Sequence, residues 1–571
     1  MQLSNNKKIN YIQFLLPIIV FFIYGYNLFN INQNLDSLCD EGYLYLMIQA
    51  ANKGIHDGLS QWPTIIDVVF GNNIISNILY LRLARYFVHL LSISLFFITV
   101  KWYLKKKGVV DSFENKLLLF SSVFLLGTLS CEPIVISYNT LQEFFLLGII
   151  VSFLISTVCD LRKRFLFYFL FGFFSFWSVL NILPSGVLVF FSIFSYAIIK
   201  NYNSWKSLSS LIAWLLVGML FAAIIFHYCF LSLDIVFHNM FKTFHTVKQW
   251  GAGYDSKSFL INIFIYFRDL FMGLCLLLGS GVVAYYLAIS FNKWVASIFF
   301  CLSMVLFSFY QIKPQMPLST FVSFPLVMLL LLKIKTTNGF DTKKCFSFDF
   351  LFYLLLFFLP LLSTIGTNLY LGSKLLFFIL PWGILFIELI VDIKLNALYE
   401  KEMELVKWLF VGILVIYSLY STISGWSEAT EVRYFRKKSP ISQIKLTKCQ
   451  LAYFNRVDSI MELYGYTPNE YVFSTQLDHM TIAALDASPH GIYFFPTMFL
   501  IDPNKQKANK PDFLFLDDYD MKTMGDSLQS LGWGFPKDYD SIYVGTPETL
   551  KMSYSTERTL YCLKKRKIID K

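Results

Sequence analysis

The sequence predicts a polytopic α-helical membrane protein with a small α/β domain after the last span, and three observations lead to that fold class. Hydrophobic residues make up 56% of the 571 positions and charged residues only 15%, whereas soluble domains carry about 25% charged residues. Apolar residues, including most of the 61 Phe, are concentrated in runs long enough to cross a bilayer. These runs stop near residue 424, and a mixed polar sequence follows. We therefore expect a membrane domain over residues 1–424 and a second domain over residues 425–571.

Thirteen apolar runs have the length and composition of membrane-spanning helices. They cover residues 11–29, 78–100, 116–132, 140–158, 165–182, 184–200, 209–231, 261–289, 294–310, 317–333, 349–366, 372–392 and 406–424. The first run is longer than the apolar region of a signal peptide and lacks a small-residue cleavage site. It predicts a signal anchor that is retained as the first span.

Basic residues in the short loops predict the orientation of the chain. With Lys7 and Lys8 in the cytoplasm, the alternate loops that follow on the same side carry most of the Lys and Arg, as the positive-inside rule requires. Thirteen crossings then place residues 425–571 outside the cytoplasm. The loops also account for the net charge of +10, so we expect no nucleic-acid partner. We predict a multi-pass protein of a bacterial inner (plasma) membrane.

The region after residue 425 has the pattern of a small α/β domain. Strands are predicted at Tyr471–Thr475, Asp512–Leu516 and Ser541–Val544, and helices at 451–464 and 478–487. Cys449 and Cys562 are candidates for a disulfide in an oxidising compartment. No CxxC pair or Cys/His spacing indicates a zinc site, so no metal is expected there. Asp478-His479 and Asp517-Asp518 follow no pattern, and we expect them at the surface.

The first outside loop, residues 30–77, contains a predicted amphipathic helix over residues 40–54. Its apolar stripe follows helical spacing and consists of Leu44, Met47, Ile48 and Ala51. Such a helix is suited to lying on the membrane surface, and Gly54 marks its end. Asp40 and Glu41 begin it, close to the lipid headgroups.

The Asp40-Glu41 pair, followed by a Tyr-containing helix in the first outside loop, resembles the GT-C glycosyltransferases. The pattern is similar to that of the protein O-mannosyltransferases and the bacterial lipid A aminoarabinose transferase. This resemblance implies inverting transfer of a sugar from a polyprenyl phosphate, such as undecaprenyl phosphate, to a lipid, glycan or protein acceptor outside the cytoplasm. It also implies that Asp40 is catalytic, with Glu41 as its neighbour. We expect no cofactor besides the lipid-linked sugar donor, and the sequence leaves metal dependence open.

Carboxylates suit this chemistry because an acceptor hydroxyl is a poor nucleophile until a base takes its proton. The leaving phosphate is stabilised by cations or by hydrogen-bond donors. A second interpretation of Asp40 stays open, because Ser37-x-x-Asp40 also matches a helix N-terminus that favours an acidic residue.

Further candidates lie at the outside ends of the predicted spans. Glu132 is a possible second carboxylate beside Asp40. Candidate substrate-binding residues, for phosphate or for sugar hydroxyls, are Arg82, Arg85, Tyr138, Asn139, His245, Lys313, Asn368 and Lys374. Each has a structural alternative. The two Arg side chains can extend to the headgroups, Tyr138 and Asn139 can cap a helix, His245 can lie on the wet face of an interfacial helix, and the Lys residues can be ordinary loop residues.

Two other classes of membrane protein remain alternatives. A glycan polymerase or ligase would depend on a large late loop rather than on an acidic pair after the first span. A lipid flippase or transporter would carry charged residues in the middle of its spans, whereas most charges here fall at the ends of the runs. A scaffold that has lost its activity is not excluded by the sequence.

Overall fold

The computed structural model describes most of the chain between residues 11 and 565. The described residues are 11–32, 40–54, 60–108, 113–129, 135–202, 204–250, 256–290, 322–323, 326–327, 329–330, 348–365, 375–394, 400–424, 439–468, 470–474, 479–489, 511–518, 521–522, 526, 528–529, 532–545 and 560–565.

The described part of the chain before residue 425 is helical. The helices are α1 (Tyr11–Phe29), α2 (Asp40–Asn52), α3 (Trp62–Ile75), α4 (Ile78–Lys106), α5 (Phe113–Thr128), α6 (Tyr138–Val158), α7 (Leu161–Asn181), α8 (Leu183–Asn201), α9 (Trp205–Cys229), α10 (Leu233–Trp250), α11 (Ser256–Ser290), α12 (Phe348–Ser363), α13 (Leu380–Lys394) and α14 (Glu400–Ser424). A 3-10 turn at Leu375–Phe378 precedes α13. Every predicted span that falls on described residues overlaps one of these helices. The predicted spans 294–310 and most of 317–333 lie outside the described residues.

Five helices are long and apolar enough to cross a membrane, judged over the described residues. They are α4, α6, residues 163–181 of α7, α8 and α9. The chain is therefore an integral membrane protein. Shorter apolar helices, including parts of α1, α5, α12, α13 and α14, accompany them, which leaves the predicted number of thirteen spans as an expectation.

Glycines allow close contact between α7 and α9. A Cβ atom at Gly172 would collide with the carbonyl oxygen of Leu215, and one at Gly218 with that of Phe169. Lipid tails are as apolar as the side chains that face them, so close backbone packing at small residues is a main source of helix association in membranes. These two positions fix the distance between the helices.

The described residues after 438 form helices and a mixed sheet. Helices α15 (Lys448–Leu463) and α16 (His479–Ala484) accompany strands β1 (Tyr471–Ser474), β2 (Ser488–Pro489), β3 (Phe513–Asp517), β4 (Tyr539–Gly545) and β5 (Leu560–Lys565). The strand order is β2-β1-β3-β5-β4, with β1 parallel to β2 and β3, and β5 antiparallel to β3 and β4. The three predicted strands correspond to β1, β3 and β4, and the two predicted helices to α15 and α16. Strands β2 and β5 were not predicted from the sequence.

The two cysteines proposed as a disulfide pair differ in what the structure describes. Cys562 is fully buried in β5, where it pairs in register with Phe515 of β3 and Ile542 of β4. The side chain of Cys449 lies outside the described residues. The disulfide between Cys449 and Cys562 therefore stays a hypothesis.

One hydrophobic cluster joins the first loop, the membrane helices and the C-terminal region. It includes Leu44 of α2, Leu81 of α4, Phe145 of α6, Val457 of α15 and Phe515 of β3. Two backbone hydrogen bonds also connect the C-terminal region to the ends of spans, from Lys445 N to Asn32 O (2.7 Å) and from Ile78 N to Pro440 O (3.0 Å). The first loop and the C-terminal region therefore lie at the same end of the helix bundle.

Candidate functional site

The first turn of α2 is fixed to α4 by a buried ion pair. Arg82 Nε donates to Glu41 Oε1 at 2.7 Å, and Arg82 Nη2 donates to Glu41 Oε2 at 2.6 Å. Arg82 Nη1 also donates to the carbonyl oxygen of Ile31, just after α1, at 3.1 Å. The two side chains are 1% and 0% exposed. One guanidinium thus connects α1, α2 and α4 at the outer end predicted for the bundle.

A paired arrangement is what burial of these charges requires. An isolated charge in a low-dielectric interior is strongly disfavoured, and two parallel hydrogen bonds between Arg and a carboxylate are among the strongest available compensations. Arg82 is bound in this way and does not extend to lipid headgroups. The phosphate-binding role predicted for Arg82 and the acidic role predicted for Glu41 stay predictions.

Polar residues continue along the same face of α4 beyond Arg82. Arg85 is 8% exposed and His89 is 4% exposed. His89 Nδ1 lies 3.0 Å from Glu143 Oε2 of α6, and its Nε2 lies 2.5 Å from the carbonyl oxygen of Gly127 of α5. This contact between three helices was missed at the sequence level. A signal was present, because an ionisable residue inside a span is a functional-site candidate by default, and both His89 and Glu143 fall inside predicted spans.

Tyr138 and Asn139 are the first two residues of α6. The cap position is Ser137, so neither residue caps the helix. The carbonyl oxygen of Tyr138 accepts a hydrogen bond from Asn181 Nδ2 at 2.8 Å. The ring centroid of Tyr138 lies 6.3 Å from that of Trp62. Asn139 is 5% exposed, and its Oδ1 has no hydrogen-bond partner among the described residues.

The C-terminal region packs directly on the first turn of α2. A Cβ atom at Gly42 would lie 2.6 Å from His479 C and from Met480 Cα, and would also collide with Met480 N. The ring centroids of Tyr43 and His479 are 5.6 Å apart. His479 is 7% exposed, and burial lowers its pKa to about 4. The expectation that His479 and Asp517 lie at the surface was wrong, since Asp517 is also buried.

A second contact between α2 and the C-terminal region involves ionisable groups. Burial, together with the nearby charge of Asp486, raises the pKa of Tyr45. Burial likewise raises the pKa of Asp486, while the charge of Lys53 at the end of α2 opposes that shift. This charge effect places Lys53 and the end of α2 near Asp486 of the C-terminal region.

The remaining predicted site residues lie outside what the structure describes. Asp40 is the first residue of α2 and His245 lies within α10, but only their backbones are described. Glu132, Lys313, Asn368 and Lys374 fall outside the described residues altogether. Among the residues that the structure describes, no group of three or more His, Cys, Asp or Glu is placed to hold a metal ion.

Comparison with known proteins gives a likeness of structure only. No family model and no curated protein matches the sequence. The crystal structure of the Archaeoglobus fulgidus oligosaccharyltransferase, tethered with an acceptor peptide, is 10% identical and has a TM-score of 0.43, covering 94% of this chain and 73% of that one. ArnT from Cupriavidus metallidurans, bound to undecaprenyl phosphate, is also 10% identical, with a TM-score of 0.39 and coverage of 96% and 97%.

Proposed function

We propose that this chain is an inverting membrane glycosyltransferase of the GT-C type. It transfers a sugar from a polyprenyl phosphate to a hydroxyl group of an acceptor outside the cytoplasm. The observation that carries the proposal is the buried Glu41–Arg82 ion pair, which holds the helix beginning at Asp40 against the end of a membrane-spanning helix. A lipid-linked donor presents its phosphate and sugar at that depth.

Asp40 acts as the base in the proposed reaction. Its carboxylate takes the proton from the acceptor hydroxyl while the oxygen forms a bond to the anomeric carbon. The bond from that carbon to the phosphate oxygen breaks on the opposite face, so polyprenyl phosphate leaves and the configuration inverts. Both oxygens of Glu41 accept hydrogen bonds from Arg82, so Glu41 serves to position its neighbour rather than to take the proton.

The other candidate residues contribute to binding in this proposal. Arg85, Lys313 and Lys374 stabilise the leaving phosphate by their positive charge. Residues that hydrogen-bond sugar or acceptor groups are Tyr138, Asn139, His245 and Asn368, and Glu132 provides a second carboxylate. The proposed topology has thirteen spans, with the N-terminus in the cytoplasm and residues 425–571 outside it, so that Asp40, the donor and the acceptor lie on the same side of the membrane.

An Asp40→Asn variant tests the proposal. The purified protein is incubated in lipid nanodiscs with a panel of undecaprenyl-phosphate-linked hexoses and an envelope extract as acceptor, and release of undecaprenyl phosphate is measured. Loss of a general base typically lowers the rate by about 10²–10⁴-fold, and we expect a loss of that size. Asp67→Asn is the matched control, since Asp67 lies in the same loop and accepts a hydrogen bond from Asn52.

Two outcomes would contradict the proposal. The first is a correctly inserted Asp40→Asn protein with full activity. The second is labelling of a Lys53→Cys protein only after the inner leaflet is breached, because Lys53 is exposed near the end of α2 and would then lie in the cytoplasm.

A lipid transporter is the second candidate, and one observation favours it. The His89–Glu143 pair lies inside two membrane helices, where a transporter places ionisable groups. His89 Nε2 also lies within hydrogen-bonding distance of Gly127 O, so the pair has a structural role as well, since it connects α4 and α6 to α5. Proteoliposomes decide between the candidates: a transporter moves undecaprenyl phosphate across the bilayer without releasing it from a sugar, and a transferase releases it.

A further inference from the structure

His479 is a buried polar side chain beside the proposed catalytic turn that the roles above leave unused. It begins α16, and the backbone of α16 contacts Gly42 so closely that no Cβ atom fits between them. Its ring lies against that of Tyr43, with 5.6 Å between the centroids. Both contacts fall on residues adjacent to Asp40 and Glu41, although His479 is more than 400 positions away in the chain.

One nitrogen of the buried His479 imidazole has no hydrogen-bond partner among the described residues. The residue is 7% exposed, and the nitrogen concerned is Nδ1. Buried polar atoms in native structures are nearly always hydrogen-bonded, and an exception calls for a reason, such as a catalytic role or a bound water or ion. The neighbouring aromatic ring of Tyr43 provides no strong acceptor or donor through its face.

The state of the imidazole selects the kind of ligand. Burial lowers the pKa of His479 to about 4, so the ring is neutral at neutral pH. A neutral imidazole carries one donor nitrogen and one acceptor nitrogen. It therefore brings no positive charge to a phosphate, and its donor and acceptor together match a hydroxyl, which both donates and accepts.

We propose that His479 is a substrate-binding residue which the C-terminal region contributes to the site at the first turn of α2. Its Nδ1 forms a hydrogen bond with a hydroxyl group of the donor sugar or of the acceptor. This inference rests on the proposed glycosyl transfer, and it makes the C-terminal region a part of the site rather than a separate module.

Three variants of the full-length protein in nanodiscs test the inference. Asn at position 479 places an amide near the position of Nδ1, whereas Leu places only carbon there. The loss of one neutral hydrogen bond corresponds to roughly a 10-fold change. We expect His479→Leu to lower kcat/KM for undecaprenyl-phosphate hexose at least that much, and His479→Asn to restore most of it. Tyr453→Phe is the control, since it removes a buried hydrogen bond to Thr481 of α16 (2.6 Å) and leaves the His479 side chain in place.

The kinetic constants identify which hydroxyl is bound. A weaker affinity for undecaprenyl-phosphate hexose, with unchanged affinity for undecaprenyl phosphate, assigns the donor sugar. A higher KM for the acceptor extract with unchanged donor affinity assigns the acceptor. If wild type is active and His479→Leu matches Tyr453→Phe in every constant, the inference fails and the proposed function stands. If wild type neither binds undecaprenyl phosphate nor releases it from any hexose, both fail.

Discussion

Glu41 and Arg82 are 41 positions apart and form an ion pair whose two side chains are almost fully buried. The desolvation of two charges costs several kcal/mol per ion, and the pair offsets it only through good geometry. Two short parallel hydrogen bonds provide that geometry. The pair therefore specifies where α2 meets α4 more than it adds to net stability.

Single and double replacements of the pair separate these effects. Removal of one partner leaves an uncompensated buried charge, and we expect Glu41→Leu and Arg82→Met each to destabilise the protein by about 3–5 kcal/mol. The double variant carries no buried charge at these two positions, so we expect it to lose less stability than either single variant. Apparent thermal midpoints of the three proteins in one detergent measure this. Additive losses would contradict the coupling.

At the scale of elements, α2 differs from the amphipathic helix that the sequence predicts. The predicted stripe is inside, with Leu44 and Ile48 at 5% and 0% exposure, but Tyr45 and Leu46 on other faces are 6% and 3% exposed as well. Helices α3 and α16 both pack on it. Periodicity identified one apolar face, and it could not identify a second covering element that lies far away in the chain.

Gly42 is the closest point of contact between α2 and α16, and its replacement tests how much the contact matters. The neighbours that a Cβ atom would meet are backbone atoms of His479 and Met480, which cannot rotate away as a side chain can. Overpacking typically costs about 1–3 kcal/mol. We expect Gly42→Ala to destabilise the protein by at least that amount and to speed proteolysis of the C-terminal region.

Gly25→Ala is the matched control for that experiment. Gly25 lies within α1, and a Cβ atom there would meet nothing within 4 Å, so the replacement is expected to be neutral or slightly stabilising, as Ala favours a helix by about 1 kcal/mol over Gly. Equal proteolysis rates for the two variants would show that α2 and α16 do not pack as described.

At the scale of the whole molecule, the C-terminal region and the first loop form one unit at one end of the bundle. The hydrogen bonds from Lys445 N to Asn32 O and from Ile78 N to Pro440 O join this region to the ends of α1 and α4. The shared hydrophobic cluster adds contacts from α2, α6 and α15. A change in the C-terminal region is thus expected to reach the proposed site.

Acid is expected to weaken this unit through His479. The folded pKa is about 4 and the ordinary value is 6.5, so the stabilising contribution is complete above pH 6.5 and is lost as pH falls toward 4. Between pH 6.5 and pH 4 the free energy of unfolding is expected to fall by about 3 kcal/mol through this group. Asp486 acts in the opposite direction, because burial raises its pKa and protonation removes a partly buried charge. Its smaller burial leaves His479 dominant.

Thermal midpoints at pH 7.5 and pH 4.5 measure the effect. The wild type is expected to lose more stability on acidification than His479→Asn, whose amide does not titrate. Since every other ionisable group is shared, the difference between the two proteins isolates His479. Identical changes in the two midpoints would show that its imidazole is not buried in the neutral form.

The sequence by itself predicted apolar helices before residue 425, and those that fall on described residues agree with helices of the structure to within several residues. It also predicted three of the five strands that the structure describes after residue 438. These features are local: a bilayer contains no water to pair backbone groups, so each span must satisfy its own hydrogen bonds, and length and hydropathy suffice to identify it. The number of spans and their orientation stay predictions.

Only the tertiary structure decided which distant residues meet at the first turn of α2. Glu41 binds Arg82, Gly42 contacts Met480, and Tyr43 packs against His479. No local pattern distinguishes a buried His479 from an exposed one, because its burial comes from the packing of α16 on a helix that precedes it by more than 400 residues. Contacts of that kind depend on complementary shape and charge between separate elements, and such complementarity exists only once the chain has folded.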